Sequence, residues 1–204
     1  MDPQEHTVWT YEDLVTVPPV RDGKKYEILH GELVVSPAPT FDHQEVLKRL
    51  FQAMAAQIEK RRLGTVHFTP IDVVLSKTRV VQPDLLVIGA NQRNIITKRG
   101  LVGAPALVAE VVSRANASHD RVRKRRFYAL AGVPEYWLVD PDSQEVEVLS
   151  LDGSLYRSAG WYASGDAIES PGFDIKIRVD DVFAIKSKTT TRKPRARKPR
   201  ARRR

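Results

Sequence analysis

Apolar and polar positions along the chain change period several times, and each change marks an element. Thr10-Tyr11-Glu12-Asp13-Leu14 reads as a short helix ahead of the rigid Val17-Pro18-Pro19. Tyr26-Glu27-Ile28-Leu29 and Glu32-Leu33-Val34-Val35 flank His30-Gly31, which predicts a hairpin with a two-residue turn, ended by Pro37-Ala38-Pro39. Over 42–62 the period becomes helical, with Val46, Leu47, Leu50, Phe51, Met54, Ala55 and Ile58 on one face. Asp42 and Glu45 resemble a capping box at its start, and Gly64 reads as its stop.

Three strands are expected next, over 66–76, 80–88 and 106–113. Leu85-Leu86-Val87-Ile88 and Leu107-Val108-Ala109-Glu110-Val111-Val112 are apolar without alternation apart from one acid, the pattern of strands covered on both faces. A second helix over 119–131 ends at Gly132-Val133-Pro134. Strands over 135–139 and 145–151 flank an Asp140-Pro141-Asp142 turn, and further hairpin, with a turn at Asp152-Gly153, reaches Phe183. Strands interleaved with helices predict an α/β fold: a central mixed sheet flanked by helices, with N-terminal and C-terminal hairpins.

Composition narrows the picture little until charge is divided along the chain. The 204 residues suit one core, since single cores stop growing at roughly 250 to 300 residues. The absence of cysteine excludes disulfides, thiolate metal sites and a cysteine nucleophile. With no signal-peptide pattern and no apolar run near the roughly 18 residues of a membrane span, the expectation is a cytoplasmic protein, with nucleoid association a further option. The net charge is +8, but 11 of the 33 Lys and Arg lie in 186–204, a stretch with no acid. Residues 1–185 therefore hold 22 basic against 25 acidic side chains, net −3.

The last stretch has no aliphatic side chain larger than alanine and repeats Arg-Lys-Pro-Arg-Ala-Arg. It cannot bury enough apolar surface to offset its ordering entropy, so 186–204 is expected to be a disordered tail appended to a 1–185 domain. Its cations, Arg192, Lys193, Arg195, Arg197, Lys198, Arg200, Arg202, Arg203 and Arg204, are candidate nucleic-acid contacts.

Chemistry is signalled by polar residues that are costly where they stand. Glu110 interrupts an apolar strand, and a buried carboxylate needs a cation, a metal or a proton. Asp84 opens another central strand directly after Pro83. Two acids on paired central strands suit a hard, oxygen-liganded ion such as Mg²⁺. The bland alternative is that Glu110 pairs with a structural arginine and Asp84 caps a turn. Lys124 falls on the stripe of its helix that carries Asp120, Phe127, Tyr128 and Ala131, so it either pairs with Asp120 or delivers an ammonium to the carboxylates. His43 heads the apolar stripe of the first long helix, where a core-edge role is the commoner one.

The order of these motifs is similar to that of the Uma-two family of restriction endonucleases, a branch of the PD-(D/E)xK nuclease superfamily. The resemblance spans about 26–183 and rests on Gly31-Glu32-Leu33, Asp72-Val73-Val74-Leu75-Ser76, Gln82-Pro83-Asp84, Glu110-Val111-Val112-Ser113, Asp120 with Lys124 and Tyr128, and Gly132-Val133-Pro134-Glu135-Tyr136-Trp137-Leu138-Val139-Asp140. It implies a restriction-endonuclease-like core and hydrolysis of DNA phosphodiesters with Mg²⁺ or Mn²⁺. Asp84 and Glu110 would be metal ligands, Lys124 and Glu32 further catalytic residues, and His43, Asp72 and Asp120 accessory ones.

The chain departs from the superfamily pattern at Val112, where the lysine two residues after the second acid would stand; Lys124 is its replacement. A homodimer follows by analogy alone. Removing either central acid is expected to be neutral or stabilising without metal, if that acid is unpaired. The competing readings are a non-catalytic DNA-binding protein on the same fold, and an interaction module whose tail binds RNA or an acidic partner.

Overall fold

The computed structural model describes residues 8–16, 24–112 and 119–183, with the side chains of 119–121 excepted. Two sheets dominate. The hairpin of β1 (Lys25–Leu29) and β2 (Glu32–Ser36) forms as expected, His30 and Gly31 both taking positive φ, 56° and 80°. A Cβ on Gly31 would come within 2.5 Å of Val8 Cγ1, so glycine is required there for space as well as conformation. A short helix, α1 (Tyr11–Thr16), precedes the hairpin; Val17-Pro18-Pro19 lies outside the described residues.

Helix α2 (Phe41–Ile58) buries Val46, Leu47, Leu50, Met54 and Ile58 along the expected face. Its start differs from the capping box read from Asp42 and Glu45: Thr40 is the N-cap, its side chain accepting from His43 N, while Glu45 turns to Lys48 and Arg49. Its end comes before Gly64, which instead opens β3.

Two of the expected strands are each split between the sheets. The stretch 66–76 is β3 (Gly64–Phe68) and β4 (Asp72–Ser76), interrupted around Pro70; 80–88 is β5 (Arg79–Val81) and β6 (Leu85–Gly89), interrupted by Gln82-Pro83-Asp84. Proline removes a ladder donor, so a central strand does not run through it. The remaining strands are β7 (Gly100–Val102), which the pattern did not announce, β8 (Leu107–Val111), β9 (Glu135–Asp140), β10 (Glu145–Asp152), β11 (Leu155–Tyr162), β12 (Ala167–Ser170) and β13 (Ile175–Arg178). A π-helical turn, His119–Lys124, leads into α3 (Arg125–Ala131), stopped by left-handed Gly132, and a one-turn helix α4 (Val179–Val182) closes the described chain.

The first sheet has the order β2-β1-β5-β4-β7, the second β11-β10-β9-β8-β6-β3, and β12-β13 is a separate hairpin. Both sheets are mixed, since β4 with β7 and β8 with β9 pair in parallel. Alternate residues of the second sheet enter two cores. Leu85, Val87, Leu107, Ala109 and Val111 join α2 and the β12-β13 hairpin, whereas Leu86, Ile88, Val108 and Val112 join the first sheet and α3. This double coverage is why the runs of β6 and β8 are apolar throughout. It also fixes the direction of Glu110, which shares the parity of Val108 and Val112 and so faces the first sheet and α3. Among the described residues no helix is long and apolar enough to cross a membrane.

Candidate active site

The chemistry gathers where the chain crosses between the two sheets. Lys25 and Glu27 are two residues apart on β1 and so share a face. They hold the crossing segment from both sides: Gln82 N donates to Glu27 Oε1 at 2.8 Å, and Lys25 Nζ donates to Gln82 O at 3.0 Å and to Asp84 Oδ1. The other oxygen of Asp84 accepts from the backbone N–H of Val111 at 2.8 Å, which locks this carboxylate to the residue after Glu110.

Glu110 Oε1 accepts from Tyr128 OH at 2.7 Å and from Lys124 Nζ at 3.1 Å. The same ammonium lies 2.9 Å from Glu27 Oε1, bridging an acid of each sheet. Glu27, Asp84, Glu110 and Lys124 are all at most 4% exposed. The first turn of α2 adds His43, whose buried Nε2 is 3.3 Å from Asp84 Oδ1 but forms no well-aligned hydrogen bond.

Ion pairing decides the protonation of this cluster. Burial by itself would raise the Asp84 carboxyl, but the Lys25 ammonium and then His43 overcome it and hold Asp84 well below the usual carboxylate range. Lys25 is held above its ordinary value: burial opposes its charge, and Asp84, Glu110 and Glu27 outweigh that. Tyr128 is raised by burial and by Glu110 and Glu27, so it stays a neutral donor.

The sign for stability follows. A depressed carboxyl contributes stability that is present above its unfolded value near 3.8 and lost as pH falls further. A raised lysine contributes stability that is present below 10.5 and lost as pH rises further. Asp84→Asn is therefore expected to flatten the acid limb of a stability-versus-pH curve measured by denaturant melts. An acid limb identical to wild type would show that Asp84 is not charge-paired in the folded protein.

These groups line one open cleft of about 380 Å³, walled by Lys25, Glu27, His43, Asp84, Glu110 and Lys124 and rimmed by Asp42 and Asp142. The structure thus brings together Asp84, Glu110, Lys124 and His43 of the residues singled out in the sequence. Val112 is buried, and Lys124 Nζ lies 3.1 Å from Glu110 Oε1.

Glu32 is not in the cluster. It sits at the hairpin turn, mostly exposed, 3.4 Å from Arg123, and the acid that β1 contributes is Glu27. Asp72 does not line the cleft; it accepts from Gln82 Nε2 at 2.8 Å. The side chain of Asp120 and the tail cations Arg192 to Arg204 lie outside the described residues. Glu110 and Asp84 are not unpaired acids, so removing either is not expected to be stabilising.

Lys25 and Glu27 escape a reading of the sequence alone. Their signal is a Lys-x-Glu on one face of a strand that ends in the core residues Ile28 and Leu29.

The sequence profile of the Uma2 family, described as "Putative restriction endonuclease", matches residues 10–180. The chain belongs to the Uma2 family. Its fold is that of a crystal structure described as "a putative nuclease belonging to DUF820 from Anabaena variabilis", 15% identical, with a TM-score of 0.72 over 86% of this chain and 97% of that one. At that identity the likeness shows the fold alone. No curated protein matches the chain. Membership of the Uma2 family supports nuclease function, and the cleft at the sheet crossing is the candidate site for it.

Proposed function

We propose that the chain is a divalent-metal-dependent endonuclease that hydrolyses DNA phosphodiester bonds at the cleft between its two sheets. The observation that carries this reading is the convergence of three buried carboxylates, Glu27, Asp84 and Glu110, with two ammonium groups in an open cleft. Among the described residues no three His, Asp or Glu side chains are arranged to hold a metal ion as they stand. The donor set nevertheless suits one. Its carboxylate oxygens are the hard ligands that Mg²⁺ and Mn²⁺ take.

Asp84 and Glu110 would hold Mg²⁺ or Mn²⁺, which when bound polarises a phosphoryl oxygen and lowers the pKa of a bound water. The protein's own residues do the positioning. Val111 N–H fixes the Asp84 carboxylate, Tyr128 fixes Glu110, and Lys124 orients the attacking water and offsets negative charge developing on the phosphate. Glu27 takes the role of further acid that the resemblance placed on Glu32, because it alone of the two reaches Lys124 and the crossing segment. Incubation with supercoiled plasmid should give nicked or linear DNA with Mg²⁺ or Mn²⁺ and none with EDTA. DNA binding without cleavage in either metal would favour a non-catalytic DNA-binding protein.

The basic tail supplies sequence-independent affinity in this reading. Deleting 186–204, with its 11 cations, should weaken DNA binding about equally for all sequences, because phosphate contacts position without reading bases. If roughly 6 to 10 of the cations meet phosphates, full-length protein should lose roughly 10³ to 10⁵ in affinity between 50 and 200 mM salt, and the truncated form far less. Equal slopes for the two would assign the tail to another partner.

A further inference from the structure

We propose that Arg79, Arg123 and Arg126 form a second, phosphate-binding patch that holds the nucleic-acid backbone a few phosphates from the cleft. The substrate named here rests on the nuclease reading; the patch itself rests on its own geometry. The turns of the β1-β2 and β4-β5 hairpins lie side by side at the end of the first sheet away from Asp84, joined by Gly31 N donating to Thr78 O at 3.0 Å. The segment of chain from Arg123 to Tyr128 serves both places. Lys124 and Tyr128 reach Glu110, while Phe127 meets His30 edge-on, ring centroids 4.5 Å apart.

Three guanidinium groups converge on this end. Arg79 is set in place by the turn, its Nε 3.5 Å from His30 Nδ1 and its guanidinium 5.9 Å from the centre of the Phe127 ring. Arg123 stands about half exposed on the other side, and Arg126 follows three residues on, exposed. The His30 ring registers all three: burial, then Arg79, Arg126 and Arg123, keep it below its ordinary range and hence neutral.

Such a concentration runs against the composition of residues 1–185, whose net charge is −3, so it is not a sample of a generally basic surface. Guanidinium forks match phosphate oxygens in pairs. Glu32, paired with Arg123 across solvent, is held weakly enough for a phosphate to displace it. Three residue steps along the strand lead from Glu27 to His30, roughly 10 Å. A strand of duplex carries a phosphate about every 3.4 Å along its axis, so the patch meets the backbone about three phosphates from the cleft.

The test uses full-length protein and a duplex oligonucleotide in EDTA, with affinity measured by fluorescence anisotropy at stepped salt. The combined variant Arg79→Gln, Arg123→Gln, Arg126→Gln should lower the slope of log affinity against log salt by about 2 to 3, at about 0.9 for each phosphate no longer neutralised. Arg126→Glu alone, an exposed change that spares the packing of Arg79 on Phe127, should weaken binding and lower the slope. A control of equal charge loss, Arg61→Gln, Lys176→Gln, Arg178→Gln, should leave it within about 1 of wild type. Wild-type slopes in both patch variants would overturn the patch, and if the combined variant does not fold, Arg126→Glu decides alone. Cleavage assayed separately keeps the two readings apart. No cleavage by any protein, with the slope still lowered in the patch variants, sinks the nuclease reading and supports the patch; cleavage by wild type with unchanged slopes does the reverse.

Discussion

Asp84→Asn and Glu110→Gln are each expected to reduce metal-dependent plasmid cleavage by at least the 10²- to 10³-fold that loss of one charge-stabilising group brings, while leaving the fold in place. The amides matter. Asp84 is paired with Lys25 and accepts from Val111 N–H, and Glu110 accepts from Lys124 and Tyr128. Alanine at either position would strand a buried partner, which costs about 3 to 5 kcal/mol when one member of a buried pair is removed. Glutamine at 110 keeps one oxygen that can accept from both Lys124 and Tyr128, whereas asparagine at 84 keeps an acceptor for only one of Lys25 and Val111 N–H, so a smaller loss of stability accompanies Asp84→Asn. Thermal melts run beside the cleavage assay separate the effects. Wild-type rates in both variants would place the chemistry elsewhere.

Lys124→Met is the second large effect. Its ammonium is buried between Glu27 and Glu110, at 2.9 and 3.1 Å, so it both links the two sheets and faces the cleft. Removing it leaves two buried acids without that cation, and a loss of about 3 to 5 kcal/mol in denaturant melts is expected. Turnover should fall on the order of 10² to 10³ with DNA affinity little changed. A destabilised variant that still cleaves at the wild-type rate, measured well below its melting temperature, would reduce Lys124 to a structural link between the sheets.

Much of this site is legible in the chain because burial makes polar residues conspicuous. Glu110 stands in a run of Leu, Val and Ala, and Lys124 shares a stripe with Phe127 and Tyr128; both are buried. Glu27 and Lys25 give a weaker signal, because the alternation Lys-Tyr-Glu-Ile-Leu reads as a half-exposed strand start in which a lysine and a glutamate are ordinary, although Glu27 is buried. The resemblance places the further acid at Glu32, five residues on. The register pairs Leu29 with Glu32 beside the turn and Glu27 with Val34, which leaves Glu32 beyond the cluster.

The split of 80–88 is less visible, since Val80, Val81, Leu85 and Leu86 are equally apolar on both sides of Pro83. Pro83 marks the break, and tertiary pairing, β5 with β1 and β6 with β8, assigns its two sides to different sheets. That separation makes the crossing segment, and the crossing segment carries Asp84. The cap at Thr40 is hidden for a simpler reason: Asp42 and Glu45 fit the capping-box spacing, while the hydroxyl two residues earlier takes the His43 N–H.

Whether Asp84 and Glu110 form a divalent-metal site used for phosphodiester hydrolysis is tested most directly by calorimetric titration of Mg²⁺ or Mn²⁺ into wild-type protein and into Glu110→Gln. Saturable binding to wild type is expected, abolished or weakened at least tenfold in Glu110→Gln while the melting temperature without metal stays close to wild type. Identical isotherms for the two proteins would contradict the metal site.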